Sequence, residues 1–326
     1  MQYSKALQLS GSLAHRKRLL AKIIFMKKKP IALQSAEYIL LLQSFTEWLQ
    51  LLNYSPLSIP GLSGSVKGFL QYQEATGKLL LEQLAATDAN CFIEYLQTKI
   101  GERTKKQLSN NHINKYIQSL KLFSKYIRET GRSIVAFTLQ RLEEEKNKPA
   151  WLTKNEIQTL YEAITDTVLG IRDKAMLAVF YGCGLRLNEG TNIELSDINQ
   201  NNKVLHVRKG KHYKERFVPI AEKNFEEMML YMDYARKELL QGNQSTCFFI
   251  GANKGEQMNK QSLYIRIKKL VSKARIKKKV GTHTLRHSIA THLLQSGMKL
   301  ERIQQFLGHA GLDSTQIYTH LQNEAP

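Results

Sequence analysis

Six residues in the second half of the chain, Arg186, Lys211, His283, Arg286, His309 and Tyr318, are of types that together could move a phosphoryl group. A guanidinium donates paired hydrogen bonds to two anionic oxygens, which an ammonium cannot reproduce. A tyrosine hydroxyl, with an ordinary pKa of about 10, is a weak nucleophile until nearby cations stabilise its developing phenolate. A lysine on a mobile hairpin can supply the proton that the departing 5′ oxygen needs, which makes Lys211 the candidate acid. Each residue also has a blander reading. Tyr318 taken alone reads as a core aromatic. His283 and His287, four apart, suggest metal ligands, but Thr284, Leu285 and Arg286 lie between them. That stretch holds no glutamate base and sets a cation beside the two rings, so no metal is expected there. His287 is expected to hydrogen-bond locally, and His292 and His320 to be structural.

The elements that must position these groups are legible as short signatures. GLRLNEG (184–190) places Arg186 on a tight turn between helices, with Glu189 three residues on. VLHVRKGKHYKERFVPI (204–220) has β-prone runs on both sides of a basic, Gly-containing turn and reads as a hairpin carrying Lys209, Lys211 and Lys214. HTLRH (283–287) puts His283 and Arg286 on one helical face, and LGHA (307–310) precedes Tyr318 by a short loop. Upstream, Thr153 with Glu156 forms a capping box that opens a helix through Ile157, Leu160 and Ile164. An apolar helix follows from about Arg172 to Tyr181 and ends in a Gly182-Cys183-Gly184 turn.

Residues 35–130 carry helical periodicity in Ile39, Leu42, Phe45, Trp48 and Leu49, then Val66, Phe69 and Leu70, then Phe92, Ile93 and Leu96. Turn signals lie between them at Tyr54-Ser55-Pro56 and at Gly61 to Gly64. In a fourth helix Ile113, Ile117, Leu120 and Ile127 form one stripe, while Lys115, Lys121, Lys125 and Arg128 lie mostly off it. The three lysines are candidate DNA contacts, against the simpler reading of a solvated face. The expected organisation is a basic segment (1–32), a helical domain (33–142), a polar linker ending in proline (143–150) and a second domain (151–326).

Composition narrows the classes. A chain of 326 residues, 42% hydrophobic, is long enough for two cores. Its 48 Lys and Arg against 28 Asp and Glu give a net charge of +20, which points to polyanionic partners. The first thirty residues hold eight of those cations and no acid, as an arm along phosphates or a solvated terminus would. Lys268, Lys269, Lys273, Lys277 and Lys278 lead into HTLRH and form a further candidate phosphate surface. The longest apolar stretch, Ala175 to Leu185, is too short to span a membrane. The N-terminus lacks the pattern of a secretory signal. Three scattered cysteines, Cys91, Cys183 and Cys247, suit a reducing, cytoplasmic setting rather than a disulfide framework.

Taken in order, GLR-x-x-E, G-K-x-x-K-x-R-x-V-P, H-x-L-R-H, L-G-H-x and I-Y-T-H resemble the tyrosine recombinases, the lambda-integrase family that includes phage integrases and Xer proteins. The resemblance is strong over about 150–320 and weaker over 35–130. It implies a mainly α fold with a small β-sheet, in which a helical core-binding domain and an α+β catalytic domain form a clamp around DNA. It implies that Arg186 and Arg286 hold the scissile phosphate, that Lys211 is the hairpin lysine, that His283 and His309 are the active-site histidines, that Tyr318 is the nucleophile and that Glu189 supports Arg186. Cleavage would leave a 3′-phosphotyrosyl link with no metal, ATP or other cofactor. The partners implied are double-stranded DNA with inverted half-sites and a homo-tetramer on two duplexes, or a second recombinase in place of some protomers. Integration or excision of a mobile element and Xer-like dimer resolution both stay open. An idle DNA-binding protein of the same fold and a DNA-relaxing topoisomerase are the rival readings. Asn188 stands where serine is common, His212 where a second glycine is common, and only eight residues follow Tyr318, where many relatives carry a further helix.

Overall fold

The computed structural model describes residues 32–101, 105–144, 150–208, 215–252 and 255–308, and divides the chain into two compact units, Met1–Lys146 and Asn147–Pro326. It is mostly helical with one small sheet, the fold class expected.

The first unit is built from α1 (Ala36–Leu51), α2 (Ile59–Ala75), α3 (Ala86–Thr98) and α4 (Asn110–Glu129). Ser35 and Ser109 cap α1 and α4, each accepting an orphan backbone N–H of the first turn. An aromatic cluster forms the core. Phe123 meets Phe45 edge-on at 5.5 Å, and Phe69 packs in the same way on Phe92 and Phe137. Asn114 on α4 ties down the departing chain by bonding both the N–H and the carbonyl of Leu142.

Two details differ from the sequence reading. The buried stripe of α1 is Tyr38, Leu41, Phe45 and Leu49, and Ile39 is 46% exposed. Tyr38 takes the inward place because its ring is apolar while its hydroxyl reaches the Leu80 carbonyl at 3.3 Å. Gly61 to Gly64 is not a turn but the beginning of α2. Pro60 presets the first turn, Gly61 and Gly64 face open space, and the packed face of Val66, Phe69 and Leu70 carries the helix.

In the second unit α5 (Lys154–Glu162) opens on the expected capping box. Thr153 Oγ1 accepts the Glu156 N–H at 3.2 Å, and Glu156 Oε2 accepts the Thr153 N–H at 2.8 Å. Replacing Thr153 by alanine should therefore cost ~1 kcal/mol in denaturant unfolding, and a loss below ~0.3 kcal/mol would show the cap to be idle. α6 (Val168–Leu177) continues into a π-helical turn, Ala178–Gly182, and leads to the short α7 (Leu187–Thr191). Three antiparallel strands follow in sequence order, β1 (Ile198–Asn199), β2 (Val204–Val207) and β3 (Arg216–Pro219). Opposite Val207 in the register stands Arg216, so the hairpin expected over 204–220 is present, with a third short strand beside it. Next come α8 (Glu222–Leu230), a π-helical turn at Tyr231–Ala235, α9 (Arg236–Leu240), α10 (Lys260–Lys273), α11 (Thr282–Gln295) and α12 (Leu300–Leu307). The core includes Leu160, Phe180, Tyr231, Phe248 and Phe249, all at most 1% exposed. Among the described residues no helix is long and apolar enough to cross a membrane.

Candidate active site

Gly184 turns the chain at φ +63°, a conformation that favours glycine, and delivers Arg186 to the N-terminal end of α7. From that position Glu189, three residues on, folds back. Its Oε2 accepts the Arg186 backbone N–H and its Oε1 accepts Arg186 Nη1, both at 2.9 Å. Glu189, which the resemblance implies supports Arg186, thus contacts both its backbone and its side chain. Glu189 is 3% exposed and cannot stand there alone, because a buried charge needs partners. A second guanidinium supplies them. Arg216 sends Nη1 to Oε1 at 3.2 Å and Nη2 to Oε2 at 3.0 Å. Arg286 Nη1 approaches Oε2 at 3.7 Å. Burial by itself would raise the Glu189 pKa, but the hydrogen bonds and charge of Arg216, the Arg186 N–H and the charge of Arg286 reverse that and pull it down to about 2. A lowered carboxylate pKa means that the stabilisation is present above the ordinary carboxylate value and is lost only as pH falls towards 2.

Arg286 lies in the second turn of α11 and is itself buried, with 6% of its side chain exposed. Its Nη1 donates to the Gly184 carbonyl and its Nη2 to the Leu307 carbonyl, each at 2.7 Å. One side chain thus joins the turn before Arg186 to the end of α12, bringing together motifs that lie more than a hundred residues apart in the chain. His283 lies one helical turn before Arg286. Partial burial first, then the charges of Arg286 and Arg186, hold its imidazole below the ordinary histidine range, so it is neutral at pH 7.

The structure brings together Arg186, Glu189, His283 and Arg286 from the sequence-predicted set. Lys211, with Lys209 and Lys214, lies outside the described residues, as do His309, Tyr318 and the basic segment up to residue 31. Of the candidate DNA contacts, Lys115, Lys121, Lys125, Lys269, Lys273 and Lys277 are exposed. Lys125 pairs with Glu129 on its own helix, and Lys268 lies over the Tyr264 ring at 5.5 Å. Lys278, also exposed, bonds Glu156 at 2.7 Å and the Trp151 carbonyl at 3.1 Å, beside the capping box of α5. His292 bonds the Tyr181 hydroxyl at 2.9 Å, and the three cysteines are unbridged. No group of three or more metal-binding side chains occurs among the described residues.

Arg216 is the residue that the sequence reading passed over. It belongs to the hairpin motif G-K-x-x-K-x-R-x-V-P, where its residue type alone assigns it no role. The available signal was its place two residues before Val218, on the inward face of a strand whose period is two.

The family model described as "Phage integrase family" matches residues 150–325. The tyrosine recombinase XerC of Oceanobacillus iheyensis is 31% identical to the chain over 87% of its length and 92% of the relative's. The chain belongs to this family of tyrosine recombinases. It is a site-specific recombinase, an enzyme that cleaves and rejoins DNA strands by the tyrosine mechanism. The recombinase is also 32% identical to XerC of Bacillus subtilis, with 86% of this chain and 91% of that one covered. Solved structures share its fold. XerH bound to a palindromic difH substrate superposes with a TM-score of 0.68 at 19% identity, covering 96% of this chain and 93% of that one. A lambda integrase dimer bound to a core site gives 0.66 at 14%, covering 85% and 93%.

Proposed function

We propose that the recombinase cleaves duplex DNA with Tyr318 as nucleophile and Arg186 and Arg286 as the clamp on the scissile phosphate. The observation that carries this reading is the bridge made by Arg286. By holding the Gly184 and Leu307 carbonyls at once, it draws the Arg186 turn to the helix end that leads, within a dozen residues, to Tyr318. The tyrosine oxygen attacks phosphorus and the bond to the 5′ oxygen breaks, leaving a 3′-phosphotyrosyl link. Lys211 gives its proton to the departing 5′ oxygen, and neutral His283 takes the proton of the attacking hydroxyl. Negative charge that grows on the nonbridging oxygens meets the two guanidiniums, preorganised by Glu189 and by the backbone carbonyls. His309 joins the same oxygens. A 5′ hydroxyl from the partner strand then reverses the step, so phosphate bond energy is conserved and neither ATP nor a metal is required.

Lys115, Lys121 and Lys125 on α4, and Lys268, Lys269, Lys273 and Lys277 in and after α10, position the duplex through its phosphates, and helices and loops in the grooves supply specificity. Residues 33–142 act as the core-binding domain and 151–326 as the catalytic domain. Inverted half-sites and a ring of four protomers on two duplexes complete the reaction, in the cytoplasm. XerH and lambda integrase, both solved on DNA, support the duplex as partner.

The test is to incubate the protein with pooled genomic fragments in EDTA and to seek protein-linked DNA on denaturing gels. A sequence-restricted covalent adduct is expected, and its sequence gives the site. Adduct formation that vanishes on chelation would overturn the metal-free mechanism, and relaxed products without exchanged strands would mark a topoisomerase. The histidine assignment predicts a pH profile as well. Because its pKa is lowered, the acid limb of the cleavage profile should have its midpoint below the ordinary histidine value of about 6.5. His283→Gln should flatten that acid limb; an unchanged limb would remove His283 from the role.

A further inference from the structure

Three arginines surround one carboxylate in the active site, and only two of them are assigned to the phosphate. The third, Arg216, reaches the cluster because β3 alternates a buried Arg216, an exposed Phe217 and a buried Val218. Its side chain is 7% exposed. Its Nε donates to the Phe306 carbonyl at 2.9 Å and its Nη atoms to both oxygens of Glu189. Gly308, at φ +67°, lays its backbone against the same side chain, and a Cβ there would stand 2.8 Å from Arg216 Cδ and 2.9 Å from Nη1. With its donors directed inward, Arg216 is poorly placed to bind substrate.

Glu189 is needed to hold Arg186, yet a carboxylate beside Arg186 and Arg286 subtracts charge from a site whose substrate is an anion. We propose that Arg216 is a positioning residue and charge counterweight. It offsets the charge of Glu189 from the interior side, so that this carboxylate takes less from the positive potential of Arg186 and Arg286 at the scissile phosphate. Its bond to the Phe306 carbonyl ties that offset to the helix end that precedes His309. The inference rests on the reading of Arg186 and Arg286 as the phosphate clamp.

Single-turnover cleavage of the duplex recovered from the covalent adduct tests it, with the scissile group either as phosphate or as an uncharged methylphosphonate. Arg216→Met should slow cleavage of the phosphate by about 100-fold, the scale of losing one preorganised electrostatic group, and slow the methylphosphonate by less than about 10-fold. Adding Glu189→Gln should speed the Arg216→Met protein on the phosphate substrate. The amide oxygen still accepts the Arg186 N–H, while the charge that Arg216 offsets is gone. Arg216→Lys keeps the charge and should stay within about 10-fold of wild type. Equal losses on both substrates, a double variant no faster than the single one, or a lysine variant as slow as the methionine one would each overturn the proposal and leave Arg216 a packing residue. Arg186→Gln separates the two layers of the argument: cleavage of the phosphate duplex at the wild-type rate by that variant would mean that the clamp reading itself has failed.

Discussion

Tyr318→Phe is expected to abolish the covalent protein–DNA adduct while leaving binding to the same duplex within about two-fold. The change removes one oxygen. It deletes the atom proposed to form the phosphotyrosyl bond and leaves the ring and the basic surfaces in place, so the loss should exceed ~10⁴-fold and reach the detection limit. Binding by gel shift and adduct by denaturing gel separate the two effects. A phenylalanine protein that still carries DNA through denaturation would assign the nucleophile elsewhere. Lost binding alongside lost adduct would instead show that Tyr318 is needed for the fold of its segment.

The second large effect is expected at Arg286. Replacing it by lysine keeps the charge but not the fork. One ammonium cannot repeat the bonds to the Gly184 and Leu307 carbonyls while facing a phosphate, so two buried acceptors lose their donor. Cleavage should fall by ~10³-fold, and unfolding in urea should show a loss of about 2 kcal/mol. Both numbers matter, because a substrate-only role would lower the rate without the stability, and a packing-only role would do the reverse. Retention of cleavage within about five-fold would remove Arg286 from the clamp.

Much of this site was legible because its chemistry is written in short motifs. GLRLNEG contains both Arg186 and its carboxylate partner three residues on, a spacing that a helix start converts directly into a hydrogen bond. The capping box at Thr153 and the hairpin over 204–220 are equally local. What escaped was non-local. Arg216 looked like one more cation in a basic hairpin, and only the strand register, which faces it inward opposite Val207, makes it a partner of Glu189. Lys278 belonged to a lysine run, and its engagement with Glu156 spans 122 positions that no periodicity could reveal. In α1 the error had a different origin. A stripe that begins at Ile39 leaves out Tyr38, yet a tyrosine can bury its ring while its hydroxyl finds a partner, here the Leu80 carbonyl. The glycines of α2 misled because their low helix propensity was outweighed by the tertiary face that follows them.

The seam at the start of α5 bears on how the molecule is made. Leu152, buried in the core, donates its N–H to Ser288 Oγ at 2.8 Å across 136 positions, and the Lys278 bonds lie beside it. The first segment of the second unit to leave the ribosome therefore waits for α11, 136 positions on, to meet its hydrogen-bond partner. The helical unit ahead of it has its described core within residues 33–139 and can close it during synthesis. Translation of the second half is thus the interval in which the nascent enzyme shows unpaired apolar surface. The arginine cluster assembles only once α11 and α12 have reached the Arg186 turn, and a truncated product that ends before residue 286 would lack the side chain that joins the Gly184 and Leu307 carbonyls.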